Sequence, residues 1–362
     1  MRKSAMWAGL IWAVALAATP VLSAPAGKPP TEVNVVAFGD WGFGTPDQQG
    51  VADAIAGFAA GRPRFDAALL LGDNFRVTLE DADDPNFERV FEKVYDRKRL
   101  NFPFYACFGN HDYEKDRFRA ELDYARLNPT SRWKVPSRWY RVELPSAKEP
   151  LVTVLMLDSN KPMMTGTDWD AQIAWMKQEL GRPRGKWTIC CAHHTLFSNG
   201  AHGDNGVLQT QWGTIFKEQK VDFYLCGHDH TLQHLQIDGW PTSFVVSGGG
   251  GARRKALLRD NRGPYSRSDT GFAALRFTQV TATVSLIDSH DKLLHVFERS
   301  TDGTIRILAT SPSDKATEHP LKVIAGFDED PKHPATQPAA APQGTGPTTE
   351  GTEATEGTKK KP

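Results

Sequence analysis

With 362 residues, 40% of them hydrophobic, the chain is long enough for one large domain or two ordinary ones around a full core. Lys plus Arg and Asp plus Glu both number 43, so the net balance offers no electrostatic capture of nucleic acid or of an anionic membrane. Function classes that depend on a strongly one-signed chain are thereby set aside.

Residues 1–26 begin with Arg2 and Lys3, continue through an apolar stretch from Ala5 to Ala18, and end in small residues through Ser23, Ala24 and Ala26. This is the layout of a secretory signal. The apolar stretch falls short of the roughly 20 residues that span a bilayer, and no Cys follows it, so neither stable membrane insertion nor a lipid anchor is expected. The mature chain is expected to be secreted or periplasmic.

Apolar runs then recur at Val33–Phe38, Ala67–Leu71, Phe104–Phe108, Leu151–Leu157, Trp187–Ala192 and Val221–Cys226, and read as buried strands. Helical spacing appears between them, at Phe87, Val90, Phe91 and Val94 behind an Asp84–Pro85 start signal, and at Trp169, Ile173, Met176 and Leu180. After Gly227 strand follows strand, at 232–237, 244–247, 272–277, 281–287 and 293–299, and this half is expected to complete a second sheet. The domain is placed at residues 31–310. From Pro331 to residue 362 the composition turns to Pro, Thr, Gly and Ala, ending in Lys359, Lys360 and Lys361, and a disordered tail is expected there. The four cysteines, Cys107, Cys190, Cys191 and Cys226, fall in the buried runs and read as small core residues. Neighbours in a strand face opposite ways, so Cys190 and Cys191 should not pair, whereas a bridge from Cys226 to one of the others stays open.

Most of the strand runs end in a short polar turn: Asp40 in GDW, Asp73 in GDN, Asn110 in GNHD, His193 in AHH, and His228 with His230 in GHDH. Carboxylate, amide and imidazole groups gathered at one sheet edge would hold two Lewis-acidic cations about 3.5–4 Å apart, suited to displacement at phosphorus. Asp73 is the natural bridge, because a carboxylate has two oxygens to share. Asp40 and His230 would serve one metal, and Asn110, His193 and His228 the other. The glycines before Asp40, Asp73, Asn110 and His228 fit strands that must turn sharply to aim the next side chain at the rim.

GDWG, GDNF, GNHD, AHH and GHDH resemble the five signature blocks of the calcineurin-like metallophosphoesterase superfamily, and in particular the small, tartrate-resistant type of purple acid phosphatase. YLCGHDHTLQHLQ from Tyr224, RWKVPSRWYR from Arg132 and PNFERVFEKVYD from Pro85 extend the likeness over roughly Val33 to Arg299. The resemblance implies an α/β fold, a four-layer αββα sandwich of two mixed sheets face to face with helices outside. It also implies a dinuclear centre of iron plus a divalent metal such as Zn, Mn or Fe, and hydrolysis of phosphate monoesters on small phosphorylated substrates. His111 and His202 match the non-ligand pair that contacts phosphate and assists the leaving group, and His194 falls beside the ligand set.

One departure stands out. Where the purple enzymes carry the tyrosine whose phenolate binds ferric iron, this chain has Arg76, and Gly42 stands where other members have a histidine. Ferric iron and a charge-transfer colour are therefore in doubt, and both cations can be divalent. Arg76 admits two readings, an ion pair or a guanidinium near the substrate phosphate. The expected mechanism is in-line attack of a metal-bound hydroxide, with His111 or His202 protonating the leaving alkoxide. A phosphodiesterase or nucleotide hydrolase on the same metal pair, and a non-catalytic exported protein binding phosphate or a surface partner, are the alternative readings. A monoester–diester comparison separates the first from the main reading, and a metal-dependent phosphatase assay the second.

Overall fold

Buried strands must pair their backbone polar groups with one another, and the computed structural model, which describes residues 31–62, 64–259 and 262–315, gathers them into two sheets. The expected signal and tail lie outside those residues. The first sheet opens with β1 (Glu32–Phe38), β2 (Ala67–Leu71), β3 (Phe104–Cys107) and β4 (Trp133–Lys134), all parallel. The chain then crosses to a second sheet for β5 (Tyr140–Leu144), β6 (Val152–Met156), β7 (Trp187–Cys191), β8 (Phe223–Cys226), β9 (Leu232–Gln236), β10 (Ser243–Ser247) and β11 (Tyr265–Arg267). In it β6, β7, β8 and β10 run parallel. It returns to the first sheet for an antiparallel meander of β12 (Gly271–Thr278), β13 (Thr281–Asp288), β14 (Leu293–Ser300) and β15 (Ile305–Thr310).

The strands after Gly227 thus divide between the sheets, and only β9–β11 complete the second. β12 instead pairs with β1 from Glu32↔Thr278 to Ala37↔Ala273, covering the backbone edge that β1 would leave bare on the side away from β2.

Alternation along the second sheet sorts its side chains. Val152, Val154, Met156, Cys191, Phe223 and Leu225 share one core with the first sheet. Leu155, Leu157, Cys190, Tyr224 and Cys226 face the opposite way. There they meet α3 (Gly166–Gly181), α4 (Gly206–Gln211) and α5 (Gly213–Glu218) through Trp169, Met176, Trp212 and Phe216. With α1 (Pro46–Ala60) packed beside β12 and α2 (Arg117–Leu127) beside β4, the result is a four-layer sandwich. Cys190 and Cys191 do lie on opposite faces, and all four cysteines are buried free thiols, so the bridge from Cys226 is not formed. The stripe around Val90 forms a π-helical turn at Glu88–Glu92 rather than a regular helix, with Asp84 Oδ1 accepting from Asn86 N at 2.8 Å at its start. Thr165 caps α3, its hydroxyl accepting from Asp168 N at 3.0 Å.

Two buried histidines link the sheets. His234 Nδ1 of β9 lies 3.0 Å from His295 Nε2 of β14, His234 stacks on Phe297 and His295 on Tyr265, and His295 Nδ1 meets Thr310 Oγ1 at 3.1 Å. Burial lowers His295 to about 4, and burial followed by the His295 charge holds His234 well below the usual histidine range. A depressed histidine contributes stability above its unfolded pKa of about 6.5 and loses it as pH falls toward the folded value. Stability should therefore drop between about pH 6.5 and 4, by about 3 kcal/mol from His295 alone. Urea denaturation of His295→Phe should show a shallower loss across that window, and an unchanged slope would remove the pair as the cause.

Candidate metal centre

Parallel neighbours end on the same edge, so the turns after β1, β2 and β3 in one sheet and after β7 and β8 in the other meet at one rim. Asp40 and Asp73 follow β1 and β2, Asn110 follows β3, His193 follows β7, and His228 and His230 follow β8. Asp40, Asp73 and His228 themselves adopt left-handed backbone, with φ of 59°, 51° and 70°. Such a conformation costs a non-glycine residue on the order of 1–2 kcal/mol, and it aims these side chains across the rim.

Of the four glycines preceding the ligands only Gly72 is left-handed, with φ of 82°. Gly109 and Gly227 are required by close approach instead, since an added Cβ would lie 2.2 Å from Asp73 Oδ1 and 2.5 Å from Asp40 Oδ2 respectively.

Hydrogen bonding fixes where the imidazole lone pairs point. His193 Nδ1 sits 2.9 Å from Leu71 O, an acceptor, so that nitrogen carries the proton and Nε2 carries the lone pair. His193 Nε2 faces His228 Nδ1 at 3.0 Å, Asn110 Oδ1 at 3.1 Å and Asp73 Oδ1 at 3.5 Å. His230 Nδ1 likewise donates to Arg253 O at 2.7 Å, which leaves its Nε2 turned to the buried Asp40 Oδ1 at 3.3 Å. Ligand atoms of Asp40, Asp73 and His193, all three buried, lie within 4.8 Å of one another. Imidazole nitrogens and carboxylate and amide oxygens brought this close together away from water form a donor set that a cation between them would satisfy. Asp40 with His230, and Asn110 with His193 and His228, fit two such cations, and Asp73 lies between the sets.

Burial, then the charges of His202, His194 and His193, hold His228 well below the ordinary histidine range, in the neutral form that coordinates metal. Burial does the same to His194, whose Nδ1 lies 2.8 Å from Ser159 Oγ. For His230 burial acts downward, but the hydrogen bond and charge of Asp40 leave it raised.

Sequence reasoning missed the residues beneath the ligands. Asp112 accepts from Gly109 N and Asn74 N, both at 2.8 Å, and burial followed by the Asp73 charge pushes its carboxyl up to about 6. Asn74 Nδ2 donates to Cys107 O at 2.9 Å, and Trp41 Nε1 donates to Asn74 Oδ1 at 3.3 Å. Asp229 accepts from His202 N at 3.0 Å and from the Ser198 hydroxyl. Each lies inside GDW, GDN, GNHD or GHDH, so the motifs carried the signal.

His111 and His202 also reach the rim. His111 Nδ1 is 2.6 Å from Glu114 Oε1 and its Nε2 is 3.8 Å from Asp73 Oδ2, while the His202 ring lies over His228 with centroids 3.9 Å apart. Arg76 forms the ion-pair contact of its two readings, Nη1 lying 3.1 Å from Asp73 Oδ2, and it passes over the Phe43 ring at 5.3 Å.

Residues 33–232 match the family model described as calcineurin-like phosphoesterase. The tartrate-resistant acid phosphatase type 5 of Sus scrofa is 31% identical over 291 residues, which cover 72% of this chain and 84% of that one. Two solved structures share the fold. GAP50, the anchor in the inner membrane complex of Plasmodium, aligns with a TM-score of 0.64 at 17% identity over 85% of this chain and 100% of that one. A purple acid phosphatase from yellow lupin (Lupinus luteus) seeds aligns with a TM-score of 0.60 at 16% identity over 80% and 57%.

Proposed function

The chain belongs to the calcineurin-like phosphoesterase family and is a metal-dependent hydrolase of phosphoric esters; we propose that it is an exported phosphatase that hydrolyses small phosphate monoesters by in-line displacement at a pair of metal ions. One observation supports this reading: the imidazoles of His193, His228 and His230, the Asn110 amide oxygen and the Asp40 carboxylate gather as two sets on either side of the Asp73 carboxylate. When bound, the cations acidify water and neutralise phosphoryl oxygens.

The remaining work falls to the chain's own groups. Glu114 fixes the His111 ring so that Nε2 faces the Asp73 side of the rim, where it can hold a phosphoryl oxygen. His202, seated beside His228 and anchored through its backbone to Asp229, supplies a proton to the leaving alkoxide. Arg76 brings a guanidinium to the substrate side of Asp73. With no phenolate at that position, the metals are divalent, or iron beside a divalent ion, without a charge-transfer band. Export is supported by the layout of residues 1–26 and would deliver the enzyme to the periplasm or medium. Among the described residues no helix is long and apolar enough to cross a membrane.

The reading is tested by turnover of p-nitrophenyl phosphate against bis(p-nitrophenyl) phosphate, with and without a chelator. The monoester should be preferred and chelation should stop both reactions; a faster diester rate would establish the diesterase alternative. His202→Ala should lower monoester turnover about a hundredfold or more with metal content unchanged, and loss of metal in that variant would mean its role lies elsewhere.

A further inference from the structure

The glycine run after β10 packs so tightly that it dictates where the next residues go. An added Cβ at Gly250 would lie 2.4 Å from Gly39 O, and Gly250 N and Ala252 N donate to Gly39 O and Asp40 O, both at 3.0 Å. The chain is thereby turned over the metal rim. Arg253 O accepts from His230 Nδ1 at 2.7 Å, Lys255 N approaches His230 O at 3.4 Å, and Lys255 O accepts from Ser268 Oγ at 2.6 Å. Held in this way, Lys255 places its ammonium against His202 Nε2.

The ammonium is partly buried, and no carboxylate forms an ion pair with it among the described residues. Three arginines of the same stretch differ from it in having carboxylate partners: Arg254 pairs with Asp269, and Arg259 and Arg262 with Asp204. A half-buried ammonium on the rim with no ion-paired carboxylate is placed to meet an anion brought by a ligand. On the proposed reading, on which this inference rests, His202 faces the leaving group, so the anion that meets Lys255 belongs to that side of the scissile bond.

We infer that Lys255 is a substrate contact that favours leaving groups carrying their own negative charge, such as the second phosphate of a phosphoanhydride, over neutral alcohols and phenols. A charged hydrogen bond contributes about 1.5–3 kcal/mol, or roughly tenfold to a hundredfold. In metal-loaded protein, Lys255→Met should reduce kcat/KM for pyrophosphate at least about tenfold more than for p-nitrophenyl phosphate, chiefly through KM, and Lys255→Arg should restore most of the difference. Pyrophosphate should also raise the melting temperature of the wild type more than that of Lys255→Met at the same concentration. Equal losses on both substrates, confined to kcat, would show that Lys255 acts only through His202 and would overturn the inference. Should the wild type hydrolyse neither compound, the phosphatase reading fails on its own. The inference then stands if pyrophosphate protection is weaker in Lys255→Met and falls if protection is equal in both proteins.

Discussion

Asp73→Ala is expected to lose more than about a hundredfold in turnover and to bind neither cation at full occupancy. Side chains that merely orient metal ligands typically account for about 10–100-fold in affinity or activity, and Asp73 stands between both ligand sets. Its Oδ1 is 3.5 Å from His193 Nε2, and its Oδ2 receives Arg76 at 3.1 Å. Removal would separate Asp40 and His230 from Asn110, His193 and His228, leaving each set without the shared carboxylate that neutralises its ion. Elemental analysis of the variant beside wild type checks this, with circular dichroism confirming the fold. An Asp73→Ala protein that retains two ions per chain would show that the carboxylate is not the bridge.

Asp112→Ala should be nearly as damaging without touching either ion. Its carboxylate is the acceptor for two buried backbone donors, Gly109 N and Asn74 N. These belong to the turns that carry Asn110 and Asp73. A buried donor left without a partner costs about 1–3 kcal/mol, so the pair would remove roughly 2–6 kcal/mol from a total that is typically about 5–15 kcal/mol. Metal affinity should fall about 10–100-fold as the turns loosen. Chemical denaturation and metal titration measure the two effects, and a stable variant with weakened metal binding would separate positioning from folding.

Much of the site was legible because strand and turn chemistry coincide. The apolar runs at Val33–Phe38, Ala67–Leu71 and Trp187–Ala192 became β1, β2 and β7 within a residue or two, and parallel pairing carried their polar turns to one rim. What was not legible depends on pairing across long separations. Nothing in the pattern of residues 272–277 reveals that β12 closes the free edge of β1 rather than extending the second sheet, since both partners would accept the same apolar face. The stripe at Phe87, Val90 and Phe91 reports burial correctly but not the wider π turn that delivers it. β15 escaped notice because most of its residues are exposed, Ile307 and Leu308 among them, and β4 is only two residues long.

Direction is the other hidden variable. Asp40 of GDW and Asp73 of GDN point into the rim, while Asp112 of GNHD and Asp229 of GHDH point beneath it to bind backbone and hydroxyl donors. Residue type is identical in the two roles, so only the turn geometry distinguishes ligand from support. In sequence, Arg253, Arg254 and Lys255 after the glycine run Gly248 to Gly251 read as a solvated loop, with a border of the substrate entrance as the alternative, and only the packing of Gly250 on Gly39 shows that Lys255 reaches His202.

An anomalous-scattering map from crystals of the metal-loaded protein would address the central assignment directly. Two peaks about 3.5–4 Å apart are expected, one against Asp40 and His230, the other against Asn110, His193 and His228, and both within bonding distance of Asp73. A single peak, or two peaks that leave either set of side chains without an ion, would contradict it.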